Sequence, residues 1–389
     1  MSGISRRSKS LVRTGRLRPR LAALSAFAAL MAAMGVGSAS PAAALTSCSG
    51  GEYSGLDGVY HCYEIAVFGP RFGGPAYPLN EIAADLHAPC LKVGDVNNSE
   101  LNFELWMDTN DNTGAGTWVE EGLQAGESQG VPAGWHWFWA DNRPNGGGYH
   151  GHYISGGTTT DTQVYFKWLG NGNWNVYRAG SYIGESTYNG DWAEGGQVGA
   201  ESTTNTLALQ ARAYNFEYAD PNWTWHPVPE SLFDQYSGPL YGGLSSDGST
   251  PGYSGMMAWG GNCSSATTVA APAAKPLSAA AAPSALRTIG LAQAQISGES
   301  KPSSISFVTT TRAQADKLLN TATTGDNAVY VIKMTGHFAA KNAGLAAKGR
   351  VPTGTTMTVT VSAATGQVTD WGITDSAPDL SPAGHATAL

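Results

Sequence analysis

Charge is scarce in this chain. Only 13% of its 389 residues are Asp, Glu, Lys or Arg, about half the share of an ordinary globular protein. Basic residues are the scarcer sign, 22 against 30 acidic ones, for a net charge of −8 at pH 7. Arg6, Arg7, Lys9, Arg13, Arg16, Arg18 and Arg20 all fall at the start of the chain, so the remainder is more acidic still. A nucleic-acid partner is excluded, because phosphate binding needs a basic face. No apolar run after Val36 is long enough to span a membrane. Also missing are a nucleophile elbow, an HExxH pair, a phosphate loop and a dinucleotide fingerprint. Helical periodicity is absent between residues 45 and 264, apart from a turn at Asn80 to Leu86.

What is present sorts into segments. The basic head, the uncharged Leu21 to Val36 run and the small residues Ala42-Ala43-Ala44 read as a secretory signal peptide over residues 1–44. Ser5-Arg6-Arg7 hints at twin-arginine export. The expected location is therefore extracellular, with no membrane contact once the signal is cleaved. Cysteine is limited to Cys48, Cys62, Cys90 and Cys263. An even number on an oxidising route predicts two disulfides. Three pairings are possible, and a Cys48–Cys62 clip with a long Cys90–Cys263 closure is the expected one.

Residues 45–264 carry many short alternating runs, among them Leu101 to Met107, Thr117 to Leu123, His136 to Ala140 and Gln163 to Leu169. Clusters such as Gly170-Asn171-Gly172-Asn173 divide them. This is a mainly β pattern and predicts an antiparallel β-sandwich. Residues 265–285 are rich in Ala, Pro, Ser and Thr and read as a linker. Residues 286–375 read as a small α+β domain, with a helix from Thr311 to Asn320 and a hairpin joining Thr355–Val361 to Gln367–Ile373. Residues 376–389 are expected to be a disordered tail.

Carboxylates inside apolar strand-like runs carry the functional signal. In Thr117-Trp118-Val119-Glu120-Glu121-Gly122-Leu123, alternation puts Trp118, Glu120 and Gly122 on one face and Val119, Glu121 and Leu123 on the core face. Gly199-Ala200-Glu201 supplies a second carboxylate beside small residues that permit close approach. Two carboxylates in one site ionise at different pH values and suit acid/base chemistry. Tryptophan is the other conspicuous presence. Trp135, Trp137 and Trp139 alternate on one strand face, an arrangement that suits either a sugar- or peptide-binding groove or a core. His150-Gly151-His152 and the Asp108 to Gly114 loop carry metal-ligand residue types, but a polar surface and a plain turn are the expected readings. No metal and no cofactor are expected.

Two resemblances follow from these residues. Thr356-Met357-Thr358-Val359-Thr360-Val361 with Thr365-Gly366-Gln367-Val368 resembles the last hairpin of PepSY-type domains, which implies an accessory or inhibitory module. The landmarks Trp106-Met107-Asp108, Glu120-Glu121-Gly122, Trp137-Phe138-Trp139-Ala140-Asp141-Asn142-Arg143-Pro144 and Ala200-Glu201 stand in the order seen in secreted glutamic peptidases of the eqolisin group. Glu120 stands where that group has Gln, and neprosin-type peptidases, which resemble the same scheme, use two glutamates. The resemblance implies a concanavalin-like sandwich acting as an acid hydrolase. Glu120 and Glu201 would be catalytic, and Trp106, Asp108, Trp118, Trp137, Trp139 and Asp141 would line the substrate groove. The alternative is a non-catalytic carbohydrate- or cell-wall-binding sandwich using the aromatic groove. Either way the expected partner is an extracellular peptide or glycan, and the expected state is a monomer.

Overall fold

The computed structural model describes residues 48, 52–53, 60–69, 78–94, 99–109, 116–126, 135–144, 147–154, 160–190, 192–228, 240–245, 255–263, 276–323, 325–340 and 351–389. The expected signal peptide, the first part of the expected linker (265–275) and most of the Asp/Asn loop (110–114) lie outside the described residues.

Period-2 alternation becomes strands throughout. They are β1 (Glu52–Tyr53), β2 (Tyr60–Phe68), β3 (Glu81–Val93), β4 (Glu100–Thr109), β5 (Thr117–Gly126), β6 (Trp135–Arg143) and β7 (Gly148–Ile154). There follow β8 (Thr162–Gly170), β9 (Asn173–Arg178), β10 (Ser181–Ser186), β11 (Ala193–Ser202) and β12 (Leu207–Ala219). Next come β13 (Trp225–Pro227), β14 (Tyr241–Ser245) and β15 (Gly255–Gly260). The C-terminal unit adds α1 (Ala282–Ile296), β16 (Ser304–Thr311), α2 (Arg312–Leu319), β17 (Ala322–Thr323), β18 (Ala328–Ala339), β19 (Thr353–Ser362), β20 (Val368–Thr374) and β21 (Thr387–Ala388). The β8–β9 connection shows why the Gly/Asn clusters were legible as turns. Gly170, Asn171 and Gly172 all take positive φ, at 89°, 55° and 74°, which glycine and asparagine tolerate best.

Two antiparallel sheets face each other, as the mainly β sandwich expectation required. One runs β1-β2-β11-β4-β5-β6-β7 and the other β14-β15-β12-β3-β8-β9-β10. Their inner faces interdigitate: Phe103, Leu105, Met107, Val119, Leu123, Trp137 and Trp139 meet Ile82, Leu86, Val164, Phe166, Trp174 and Val176. The disulfides join Cys48 to Cys62 and Cys90 to Cys263, with Cα separations of 5.8 and 6.1 Å.

The C-terminal unit is stitched to this sandwich by strand pairing at two places. β20 adds to β7, with Trp371 opposite Gly151 and Ile373 opposite Tyr149, so the first sheet continues through β20-β19-β18-β16-β21. β17 adds to β10 through Gly184–Thr323 and Glu185–Ala322. α2 and the β19–β20 hairpin occupy the segments expected for them. Thr311 caps α2 by accepting from the Gln314 backbone N–H at 3.2 Å, and Asn320 ends it in the left-handed conformation.

Two expectations need correction here. The segment read as linker up to residue 285 already contains the start of α1. Its Ala/Pro composition suits a linker, yet Pro283 falls in the first turn, where its missing N–H is not needed. Ala282, Leu286 and Ala294 then pack against Ile332, Met334, Met357 and Val359. The tail read as disordered is also ordered. Leu380 is buried against Val308, Ala315, Val329 and Val331, and Thr387 pairs with Phe307. An edge strand with free N–H groups, β16, holds it in place.

Candidate active site

The outer face of the first sheet gathers the acidic residues. On β4, Phe103, Leu105 and Met107 enter the sandwich core, so Asn102, Glu104, Trp106 and Asp108 point the other way. On β5 the same parity turns Trp118, Glu120, Gly122 and Gln124 outward, and on β11 Gln197, Gly199 and Glu201. Five carboxylates on this face are nevertheless buried: Glu100, Glu104, Asp108, Glu120 and Glu201.

Register fixes how they meet. Glu104 lies directly opposite Gly122 on one side and Gly199 on the other. Glu120 stands two residues from Gly122, and Glu201 two residues from Gly199, so both are diagonal neighbours of Glu104, within reach of long side chains. The two glutamates singled out from sequence are therefore not a pair. They flank a third, Glu104, on a diagonal across three strands. Burial raises the Glu104 pKa well above the ordinary carboxylate range, and the charges of Glu120 and then Glu201 raise it further; the Asn102 amide acts weakly in the other direction. The flanking glycines are required for space. A Cβ on Gly122 would stand 2.3 Å from the Glu104 Cβ and 2.5 Å from the Phe103 carbonyl oxygen. Gly122→Ala is expected to destabilise the chain by about 3 kcal/mol, the upper range for overpacking, as measured by denaturant unfolding; a loss below about 1 kcal/mol would mean the strands separate freely there.

Each flanking glutamate has its own partner. The Trp118 indole N–H donates to Glu120 Oε2 at 3.0 Å. His61 on β2 brings Nδ1 to 2.5 Å from Glu201 Oε1, and both side chains are buried. Gln197, whose backbone pairs with Trp106, donates to Asp108 Oδ2 at 2.9 Å, and the Gln124 amide donates to Glu100 Oε2 at 3.3 Å. Among the described residues, one group has the make-up of a metal site: His61, Glu100 and Glu201, with ligand atoms within 4.8 Å of one another. Two ligands of one zinc-type ion stand roughly 3 Å apart or more, given bonds of about 2.0–2.2 Å. The 2.5 Å His61–Glu201 contact is shorter and is a direct charge-assisted hydrogen bond.

Trp106, Asp108 and Trp118 share the face of Glu120. Trp137, Trp139 and Asp141 do not. The two tryptophans fill the sandwich core at 3% and 0% exposure. Asp141 follows their parity and accepts from Arg143 Nε at 2.7 Å. Alternation placed Trp135, Trp137 and Trp139 together correctly, but the face they share is the inner one, because a wide two-sheet interior needs bulky side chains. The His pair is also inward and buried. His152 Nδ1 contacts Asp370 Oδ1 at 2.6 Å, and His150 Nε2 contacts the Gly147 carbonyl at 2.9 Å. Glu104 and His61 escaped the sequence reading. The signal for Glu104 was available, since Glu104 alternates with Phe103 and Leu105 just as Glu120 alternates with Val119.

The buried titratable groups set a stability profile. Burial pushes Glu64 up to about 7 and raises Glu104 and Glu121 well above their ordinary 4.5. Between 4.5 and those raised values the folded chain holds protons that the unfolded chain has lost, so stability falls as pH rises. Burial lowers His136 and His150 from 6.5 to about 3. Between those two values the unfolded chain holds the protons, so stability falls as pH drops. Asp370, held down to about 2 by Arg312 and His152 against the desolvation that opposes them, adds to the acid loss. Each group contributes up to about 1.4 kcal/mol per pH unit. The melting temperature is expected to peak between pH 4.5 and 6.5, where the two sets oppose each other, and to fall on both sides. Thermal scans from pH 3 to 9 that rose steadily toward pH 9 would show that the buried glutamates ionise freely.

No protein-family profile and no curated protein matches the sequence. The fold does have neighbours among solved structures. Scytalido-glutamic peptidase with a peptide-based transition-state analogue aligns over 51% of this chain and 98% of its own, at 6% identity and a TM-score of 0.35. SCP-B, an eqolisin peptidase bound to the tripeptide Ala-Ile-His, aligns over the same shares at 8% identity and a TM-score of 0.32. A β-porphyranase from the human gut bacterium Bacteroides plebeius aligns over 41% of this chain and 63% of its own, at 12% identity and a TM-score of 0.17. The distant resemblance to glutamic peptidases that the sequence landmarks carried is met again among solved structures, at scores too low to bear on mechanism.

Proposed function

We propose that this chain is an acid-acting glutamic peptidase in which Glu104, Glu120 and Glu201 work as one coupled set. The observation that carries the reading is the buried diagonal of three carboxylates, with Glu104 between the other two and its proton affinity raised by both. Three carboxylates this close do not all ionise together. The Trp118 N–H favours the ionised form of Glu120, and the His61 contact favours that of Glu201. The shared proton then resides on Glu104. That assignment moves the acid role, expected at Glu120, to its neighbour.

In the proposed reaction Glu201 takes a proton from water as the water attacks the peptide carbonyl. Glu104, protonated, donates a hydrogen bond to the developing oxyanion and passes the proton to the leaving nitrogen. Glu120 supplies the negative charge that keeps Glu104 protonated. The two disulfides suit an oxidising compartment, and no helix among the described residues is long and apolar enough to cross a membrane. Secretion follows from the expected signal peptide and is part of the proposal.

The test is cleavage of a denatured protein substrate from pH 2 to 8. The expected profile has an acid optimum, limited on the alkaline side by loss of the Glu104 proton. Glu120→Gln removes the charge that raises Glu104 and is expected to move the alkaline limb to lower pH. Glu104→Gln keeps a hydrogen-bond donor but cannot titrate, so the alkaline limb should flatten while the rate falls. Absence of cleavage at every pH by a demonstrably folded protein would overturn the reading. The glycan-binding alternative loses Trp137 and Trp139, which are buried in the core, but keeps Trp223, Trp225 and Trp259, which are exposed.

A further inference from the structure

A second site lies away from the carboxylate diagonal. A cavity of about 340 Å³ opens where the C-terminal unit meets the sandwich. It lies by the two strand seams, β7–β20 and β10–β17, and both contribute to its wall: His152 and Asp370 from one, Ile183 and Thr323 from the other or next to it. That volume is equivalent to roughly ten water molecules and falls at the small end of ligand pockets.

The wall offers donors in excess of acceptors. Arg178 Nη1 and Trp139 Nε1 are buried and have no hydrogen-bond partner. Arginine and tryptophan nitrogens can only donate. Trp139 is fully buried, and its indole stacks on the His152 ring at 3.9 Å between centroids, which holds both in place. Arg178 is fixed above the Trp137 ring, 5.2 Å from its centroid. Asp370, the one carboxylate on the wall, is already engaged on both oxygens, by His152 on one and by Arg312 and Thr369 on the other. Gln367 adds a polar side chain to the wall. Glu121, which lies off the wall but within electrostatic reach of Arg178, is kept toward its neutral form by burial. A donor-rich, partly desolvated cavity with guanidinium groups and no free carboxylate oxygen on its wall is complementary to an acceptor-only anion, and arginine binds planar oxyanions through two parallel N–H bonds.

We propose that this cavity is a binding site for a small oxyanion, a carboxylate or phosphate group on a compact molecule, held principally by Arg178 with Trp139. Because its walls come from both the sandwich and the C-terminal unit, the ligand ties the two together. Occupancy therefore raises the melting temperature by mass action.

The test is calorimetric titration of the full chain with citrate, succinate and inorganic phosphate, at ionic strength held constant with sodium chloride. Saturable binding of one class is expected, with a matching rise in melting temperature. Binding by the carboxylates alone assigns a carboxylate ligand, and binding by phosphate alone assigns a phosphate. Arg178→Gln is expected to weaken binding at least tenfold, and Arg178→Lys to weaken it less. Should Arg178→Gln fail to fold, Gln367→Ala gives the second readout, with a smaller loss of affinity. No saturable binding of any of the three, or equal affinity in a folded Arg178→Gln variant, would overturn the proposal. Since peptide cleavage is not the readout, failure here leaves the peptidase reading untouched, and the reverse holds as well.

Discussion

Glu201→Gln is expected to reduce peptide cleavage by about a thousandfold or more at the acid optimum, the range for losing a positioned general base. The amide keeps the size and shape of the side chain but cannot accept a proton from water. It also breaks the His61 relationship, because a Gln oxygen carries no charge to match the imidazole 2.5 Å away. The loss should fall on kcat, with KM little changed, since Glu201 is asked to act in the transition state and not to grip substrate. A folded Glu201→Gln enzyme retaining more than about a tenth of wild-type kcat would show that another group activates the water. His61→Gln separates orientation from chemistry. It leaves the carboxylate in place, so it should cost less than Glu201→Gln while shifting the acid limb of the profile upward, because Glu201 then loses a contact that favours its ionised form.

The sandwich was legible because alternation and Gly/Asn turns are local signals. Thr117 to Leu123 announced both its strand and the face of Glu120, and Gly170 to Asn173 announced its turn. The site was legible only in part. Parity placed Glu120 and Glu201 each on the correct face, but adjacency is a matter of register between strands, and register is set by pairings that no single segment records. Glu104, the residue between them, is marked as central only by its register opposite Gly122 and Gly199, which the sequence of β4 does not record. The tryptophans show the opposite limit. Alternation cannot say whether an aromatic stripe faces a groove or a core, and Trp137 and Trp139 proved to be interior packing. The docking of the C-terminal unit left no local trace. His152 and Asp370 are 218 residues apart, and β20 pairs with β7 through backbone groups that any sequence carries.

Removing the Cys90–Cys263 bond by a double serine substitution is expected to be the most damaging change to stability among those considered. The bond closes a loop of 173 residues, and the chain-entropy relation then assigns it about 5 kcal/mol, against about 3 kcal/mol for the 14-residue Cys48–Cys62 clip. Structure gives the long bond a second role. Cys90 lies on β3, opposite Gln210 of β12, and Cys263 follows β15, which pairs with the other edge of β12. The disulfide therefore spans β12 and anchors the end of β15, the strand that leads out of the sandwich toward the C-terminal unit. An unfolding free energy lower by about 4–5 kcal/mol in the serine double variant, with the Cys48–Cys62 double variant losing less, would confirm that loop length sets the order. The reverse order, measured by denaturant unfolding under non-reducing conditions, would mean that the β1–β2 edge beside His61 is the weaker part of the fold and that its short clip protects the candidate active site.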